Sequence, residues 1–520
     1  HTPSRMLTTL DYVVLVVYLI GVALFGIWAG GRQSDTKDYF QGGGQLPWWA
    51  VCFSIVATET STLTVISVPS ITYFGSAVFL QLTFGYILGR LLVSVYFLPK
   101  YFAGNLSTAY GFLGARFGDG MRASASVTFM VTRLLADGVR LFATAIPLKV
   151  IFDSVGLELS YTQIIVGIGL ITIVYTYIGG IKAVVWMDVV QLILYMGGAI
   201  LAIFILFGDT PANWWSDAAE AGKTTVFDWG FADGFSVWLT KPYTVISAVV
   251  AGAIFAMASH GTDQLIVQRV LSCRTLRDGQ KALVTSGFIV MLQFAVFLFI
   301  GLQLWGYYGQ QTLAELGLSR GDEIFPKFII EGMPPGISGL LLAGILAAAM
   351  STLSSSLNSL ASSSVIDLYE RFKAGGVDPV QSLRVGRLFT LIWGVVFIGF
   401  AIQFEDNTSP VVELGLSIAS FTYGGLLGVF LLGLLNARAT QRSAILAFFV
   451  TIVTMVLIIF GVWYSATEGG WTFTFYPDAA EKSARGLAGI GWPWYTAIGA
   501  ALTLAVGGLL SLGQKEEVAA

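Results

Sequence analysis

The chain has 520 residues, 55% of them hydrophobic and only 11% charged, with a formal net charge of −3 and a mean hydropathy of +0.76. Soluble domains carry about a quarter charged residues, so this composition excludes a soluble globular protein; no basic patch points to a nucleic-acid partner, and none is expected. Two cysteines, Cys52 and Cys273, and two histidines exclude a disulfide scaffold and argue against a bound transition metal.

Apolar runs long enough to cross ~30 Å of hydrocarbon as helices predict an all-α polytopic membrane protein with about thirteen transmembrane helices. In chain order they fall at 12–30, 48–73, 77–99, 124–152, 162–179, 185–208, 243–270, 280–308, 337–366, 384–404, 410–435, 441–464 and 491–512. The first run is too long for a signal peptide and lacks a cleavage site. The chain opens on His1 rather than methionine, which leaves the completeness of the N-terminus open. With the N-terminus outside, the inner loops hold seventeen lysines and arginines, among them Arg269, Arg274 and Lys515, against seven outside, including Arg5 and Lys223. The bias predicts an external N-terminus and a cytoplasmic C-terminus in the plasma (inner) membrane, with lipid as a partner. Trp214, Trp215 and Trp229 of the outer loop 209–242 suit the membrane interface. No loop is long enough for an attached soluble domain, so 1–520 is one transmembrane domain.

Polar side chains inside predicted spans are the functional candidates. The second span contains Thr58-Glu59-Thr60-Ser61-Thr62-Leu63-Thr64, five hydroxyls and an acid in seven residues. Such a cluster disfavours a continuous helix in lipid, and an interrupted one frees carbonyls to hold an ion. In the fourth span Arg133, Asp137 and Arg140 have the i+4 and i+3 spacing of pairs within one helix. Asp188 opens the sixth span, where a salt bridge with Lys182 is the alternative to a site role. His260 in the seventh is read either as a solute contact or as a packing residue. The ninth span holds Ser351, Thr352, Ser354, Ser355, Ser356, Asn358 and Ser359, then Ser362, Ser363 and Ser364. A single hydroxyl can bond back to its own helix. A run this dense offers many neutral oxygens to one locus, which suits a hard cation, and sodium would be held weakly enough to be released.

Five strings in order carry a resemblance. They are Asp38-Tyr39-Phe40 with Gly42-Gly43-Gly44 and Trp48-Trp49, Tyr175 through Gly179-Gly180-Ile181 with Trp186 and Asp188, and Asp263-Gln264 with Gln268-Arg269. Ser354 to Ser359 and Gly424 to Gly433 complete the set. At these residues, and through almost its whole length, the chain resembles the sodium/solute symporter family, which includes bacterial sodium-coupled sugar, sialic acid and proline carriers. The resemblance implies two inverted five-helix repeats, here 48–208 and 243–435, each opening with an interrupted helix. One extra helix precedes them at 12–30, and two follow within 441–512. It implies a first sodium site from the carbonyls of Ala57, Thr60 and Ala348 with the side chains of Ser351 and Thr352. A second, as in sialic acid carriers, would use Asp188, Ser351, Ser354 and Ser355, giving two sodium ions per solute. By position Glu59, Ser61, Thr64, Phe79 and Thr83 would face the solute. Sialic acid carriers hold an arginine where this chain has Ala136, which counts against an acidic sugar.

The expected function is therefore sodium-driven symport of a small organic solute, a sugar or sugar derivative, by alternating access, with sodium as the coupling ion and no oligomer required. A monocarboxylate or amino acid is the alternative solute. A proton-coupled carrier, with Glu59, Asp137 and Asp188 as a relay, is the alternative mechanism. No nucleophile–base set, metal cluster or phosphate loop points to an enzyme.

Overall fold

Most of the long apolar runs of the sequence are helices. The computed structural model describes residues 7–154, 156–231, 234–318, 320–373, 376, 378–403, 411–512 and 514. Arg5, Lys515 and the first residue of the span expected at 410–435 lie outside them. Among the described residues, eight helices are long and apolar enough to cross a membrane. They become nine when the bent pair Trp48–Glu59 and Thr64–Phe74, inclined at 62°, is taken as one span.

The bend has a local cause. Thr60 is extended (φ −84°, ψ 104°), and Ser61 caps the next helix, Thr62–Phe74, in a reciprocal capping box with Thr64. A second interruption separates Gly252–Gly261 from Gln264–Leu271, where Asp263 accepts a bond from Leu265 N and starts the new helix. Single π-helical stretches at Ser247–Ala251 and Ser363–Tyr369 add further irregularity, of a kind common near functional sites.

The two spans expected at 162–179 and 185–208 are helical and meet directly at Gly180, whose backbone is non-helical (φ 57°, ψ −152°), within the 49-residue stretch Tyr161–Asp209. Straight, it would run about 73 Å, more than twice the hydrocarbon thickness. A Cβ on Gly180 would also lie 2.5 Å from the Tyr39 carbonyl oxygen. Gly180→Ala should therefore cost about 1–3 kcal/mol, read as a lower thermal midpoint in detergent. Gly197→Ala, on the same helix with nothing within 4 Å of the new methyl, should leave it unchanged.

The serine-rich helix Ile337–Ser362 is buried along almost its whole length. It packs on the kinked helix, on Thr9–Gly30 and on Pro379–Ile402. Asp11 of the first helix accepts bonds from Gly336 N (2.7 Å) and Gly339 N (2.8 Å), so a carboxylate satisfies the orphan amides at the start of the serine-rich helix. On the other side Leu82–Tyr96 lies close against 247–261 because Gly85 and Gly89 meet the backbone there, the small-residue seam expected of membrane helices.

One part departs from the all-α expectation. The span expected at 441–464 ends at Gly461, and Val462–Ser465 is a strand between Gly470–Phe473 and Leu487–Gly489, antiparallel to both. Val-Trp-Tyr favours strand over helix, a signal that hydropathy alone does not separate from the preceding apolar run.

Candidate ion and solute site

The half-helix Trp48–Glu59 ends in mid-protein, so its last carbonyls lack the usual partners four residues on. The Val56 carbonyl takes both Thr60 N (3.1 Å) and Thr60 Oγ1 (2.8 Å), while Ser61 N turns to Thr64 Oγ1 (3.3 Å). The partial negative charge of a helix C-terminus favours a cation beside these oxygens. Two bonds fix the break against the serine-rich helix: Thr62 Oγ1 to the Ile345 carbonyl (3.0 Å) and Thr58 Oγ1 with Ser355 Oγ (3.1 Å). Ala57, Thr60, Ala348, Ser351 and Thr352 are all buried in this region. Ser61 and Thr352 line a narrow cleft with Asp137, Arg140 and Thr144.

Asp188 has no solvent exposure. Its Oδ1 accepts Ser351 Oγ (2.6 Å) and its Oδ2 accepts Ser54 Oγ (2.5 Å). Its ionic partner is Arg269, at 3.3 Å, not Lys182. Arg269 was expected in an inner loop but has no exposed side-chain surface; it also donates to Ser54 Oγ (2.8 Å), the Leu265 carbonyl (2.6 Å) and Ser355 Oγ. Ser354 and Ser355 donate to the Ser351 carbonyl (3.0 and 2.7 Å). The structure thus gathers Asp188, Ser351 and Ser355 around one oxygen-rich locus, with Ser354 one turn away. It adds Thr58 from the hydroxyl cluster, and Ser54 and Arg269, which sequence reading missed. A buried arginine at the end of a polar half-helix was the available signal.

Glu59, at the end of its half-helix, sits between Arg90 and His260. Arg90 Nη2 reaches both carboxylate oxygens (2.6 and 2.5 Å), and His260 Nε2 contacts Oε1. Arg90 Nη1 donates to Ser286 Oγ (2.8 Å), and His260 Nδ1 lies 2.8 Å from Ser259 Oγ. His260 thus packs on the Glu59 carboxylate, beside Arg90, a polar exception in the middle of an apolar run.

The expected pairs within the fourth span form: Arg133 to Asp137 at 3.3 Å and Arg140 to Asp137 at 3.2 Å. They belong to a larger network. Arg133 also bonds Asp263 and Tyr423 Oη, Tyr423 donates to Asp263 (2.6 Å), and Ser356 donates to Asp137 (2.5 Å). One arginine thereby ties the break before Gln264–Leu271 to Asp119–Ser154 and to Val411–Leu435. Of the residues expected to face a solute, Ser61 and Thr64 cap each other. Thr83 donates to the Leu80 carbonyl (2.7 Å), and Phe79 packs edge-on against Tyr243 and Phe294, each at 5.3 Å.

Among known proteins, the model of the sodium:solute symporter family matches residues 39–451. The sodium/sialic acid symporter SiaT of Proteus mirabilis is 31% identical over 87% of this chain and 90% of its own. For the sodium/sialic acid symporter NanT of Aliivibrio fischeri the figures are 30%, 86% and 88%. A solved sodium-coupled sialic acid symporter, substrate-bound, outward-open and described with a novel sodium site, superposes with a TM-score of 0.82. It is 26% identical and covers 98% of this chain and 99% of that one.

Proposed function

Since the chain belongs to the sodium:solute symporter family, we propose that it carries a small organic solute, a sugar or sugar derivative, together with two sodium ions by alternating access. The family is one of sodium-coupled transporters, with sodium as the coupling ion, and not of enzymes. The observation that carries the reading is the meeting of a broken helix end with a helix rich in hydroxyls, around a buried carboxylate. Neutral oxygens with little net charge fit a monovalent cation that must leave again.

In this reading thirteen spans cross the membrane, with the kinked helix counted as two and each broken helix as one. The N-terminus is outside and the C-terminus cytoplasmic. The segments 48–208 and 243–435 are the inverted repeats, each opening on one of the two breaks. One sodium lies among the carbonyls of Ala57, Thr60 and Ala348 and the hydroxyls of Ser351 and Thr352; the other lies at Asp188, Ser351, Ser354 and Ser355. Ser351 serves both, so occupancy of one site biases the other through a shared side chain.

Uptake of the solute into proteoliposomes should require an inward sodium gradient and vanish when choline replaces sodium at fixed pH. Uptake that persists in choline and follows a proton gradient would sink the sodium reading in favour of a proton-coupled one.

A further inference from the structure

We infer that the end of the bundle bearing Lys100, cytoplasmic in the orientation proposed above, holds a binding site for one anionic phospholipid. Its acyl chain lies in a groove between three helices and its phosphate on Lys100. The groove has a volume of about 400 Å³, within the range of ligand sites. One wall is Leu92 and Tyr96, the second Met257 of Gly252–Gly261, the third Leu434 and Leu435 at the end of Val411–Leu435. Phe97, 1% exposed, lies at the bottom, its ring against Tyr101 (6.4 Å) and Phe430 (6.2 Å). Tyr96 and Leu435 are 60% and 72% exposed, so the groove opens outward, toward lipid. Leu92 and Lys100 stand eight residues apart, about 12 Å along a helix, which keeps the groove within one leaflet of a ~30 Å core.

Charge chooses the occupant. Between Glu59 and Asp119, and again between Glu413 and Glu468, the sequence contains no acid. These two stretches supply every lining residue except Met257. The same end of them carries Lys100, Arg116, Arg438 and Arg442. Lys100 lines the groove, is exposed, and makes no ion pair among the described residues. Arg116 donates to the carbonyls of Asn436 (2.8 Å) and Ala437 (3.0 Å), which fixes its charge at the end of the wall that bears Leu434 and Leu435. Other bases on this face have acids: Arg122 pairs with Asp367, and Arg371 with Asp119. The walls are leucines and a methionine, side chains that adapt to a flexible chain. An apolar groove with an unanswered cation at its mouth fits an acyl chain that ends in a phosphate, as basic pockets between helices fit anionic headgroups. Only the leaflet that supplies the lipid depends on the proposed orientation; the groove and its cation do not.

The test is native mass spectrometry of the purified, delipidated full chain, titrated with phosphatidylglycerol or phosphatidylcholine carrying the same two oleoyl chains. The first phosphatidylglycerol should bind about fivefold more tightly than the first phosphatidylcholine, the worth of one lysine near a lipid surface. Lys100→Gln should close that gap to within about twofold. Lys37→Gln removes an exposed lysine outside the groove and should leave the gap as it is. Leu434→Trp narrows the groove and should weaken both lipids at least about tenfold, as two methylenes left unburied would. Leu435→Trp, at the more exposed position, reads the same effect should Leu434→Trp fail to fold. Glycerol phosphate, which has no acyl chain, should not compete. Equal binding of the two lipids, a gap that survives Lys100→Gln, binding that ignores the tryptophan, or competition by glycerol phosphate overturns the inference. So does a dimer that the tryptophan disperses, since a second copy of the chain would then fill the groove. Sodium and solute enter none of these measurements, so the outcome leaves the symport reading untouched.

Discussion

Asp188→Ala should lower the sodium Hill coefficient of uptake from about two to one, since the coefficient is bounded by the number of coupled sites. It should also destabilise the fold by about 3–5 kcal/mol, because Arg269 would be left charged and unpaired with no exposed surface. The two effects are separable. Asp188→Asn with Arg269→Gln removes both charges, so most of the thermal stability should return while the coefficient stays at one. Sodium-dependent uptake in vesicles and thermal unfolding in detergent read the two quantities. A single variant that keeps a coefficient near two would remove Asp188 from the second sodium site and leave it a purely structural ion pair.

Arg133→Met should be as damaging, by a different route. Arg133 is the cation on Asp263, which also accepts Tyr423 Oη and caps Gln264–Leu271. Its loss strands a fully buried carboxylate at the second helix break. A drop of about 3–5 kcal/mol is expected, together with loss of solute uptake. Arg140→Met removes a cation from the same Asp137, but Arg140 is one-third exposed and Arg133 and Ser356 remain on that carboxylate. Its cost should be about 0–1 kcal/mol. Comparable losses in the two variants would show that Asp263 does not depend on Arg133.

The polar exceptions were legible one at a time, their partners were not. Glu59, Asp188 and the serine run stand out in any reading that asks what a membrane helix avoids. Arg90 obeys the same rule and is hidden only by the strength of the apolar run around it. Arg269 was assigned to a loop because a basic residue at the end of a span ordinarily lies in the headgroup region. The half-helix carrying it is wholly buried, with Gln268 bonded to Asn358 and Gln264 to Ser362, so its polarity serves contacts inside the protein. The sheet at Val462–Ser465 was missed for another reason, since hydropathy cannot tell a short apolar strand from the last turn of a helix.

Composition and the spacing of apolar runs, by themselves, determined that this is a polytopic helical membrane protein. The density of hydroxyls in two segments determined that it has an oxygen-rich locus. Both follow from transfer free energies, which act residue by residue and need no knowledge of neighbours. Only the tertiary structure decided which charge answers which. Glu59 meets Arg90 and His260, Asp188 meets Arg269, and Asp263 meets Arg133, across 31 to 201 residues of chain. A buried charge requires a partner, but sequence does not say whose. That is set by how the helices pack: Gly85 and Gly89 let one helix close on another, and the breaks at Thr60 and Asp263 turn two helix ends toward the same interior.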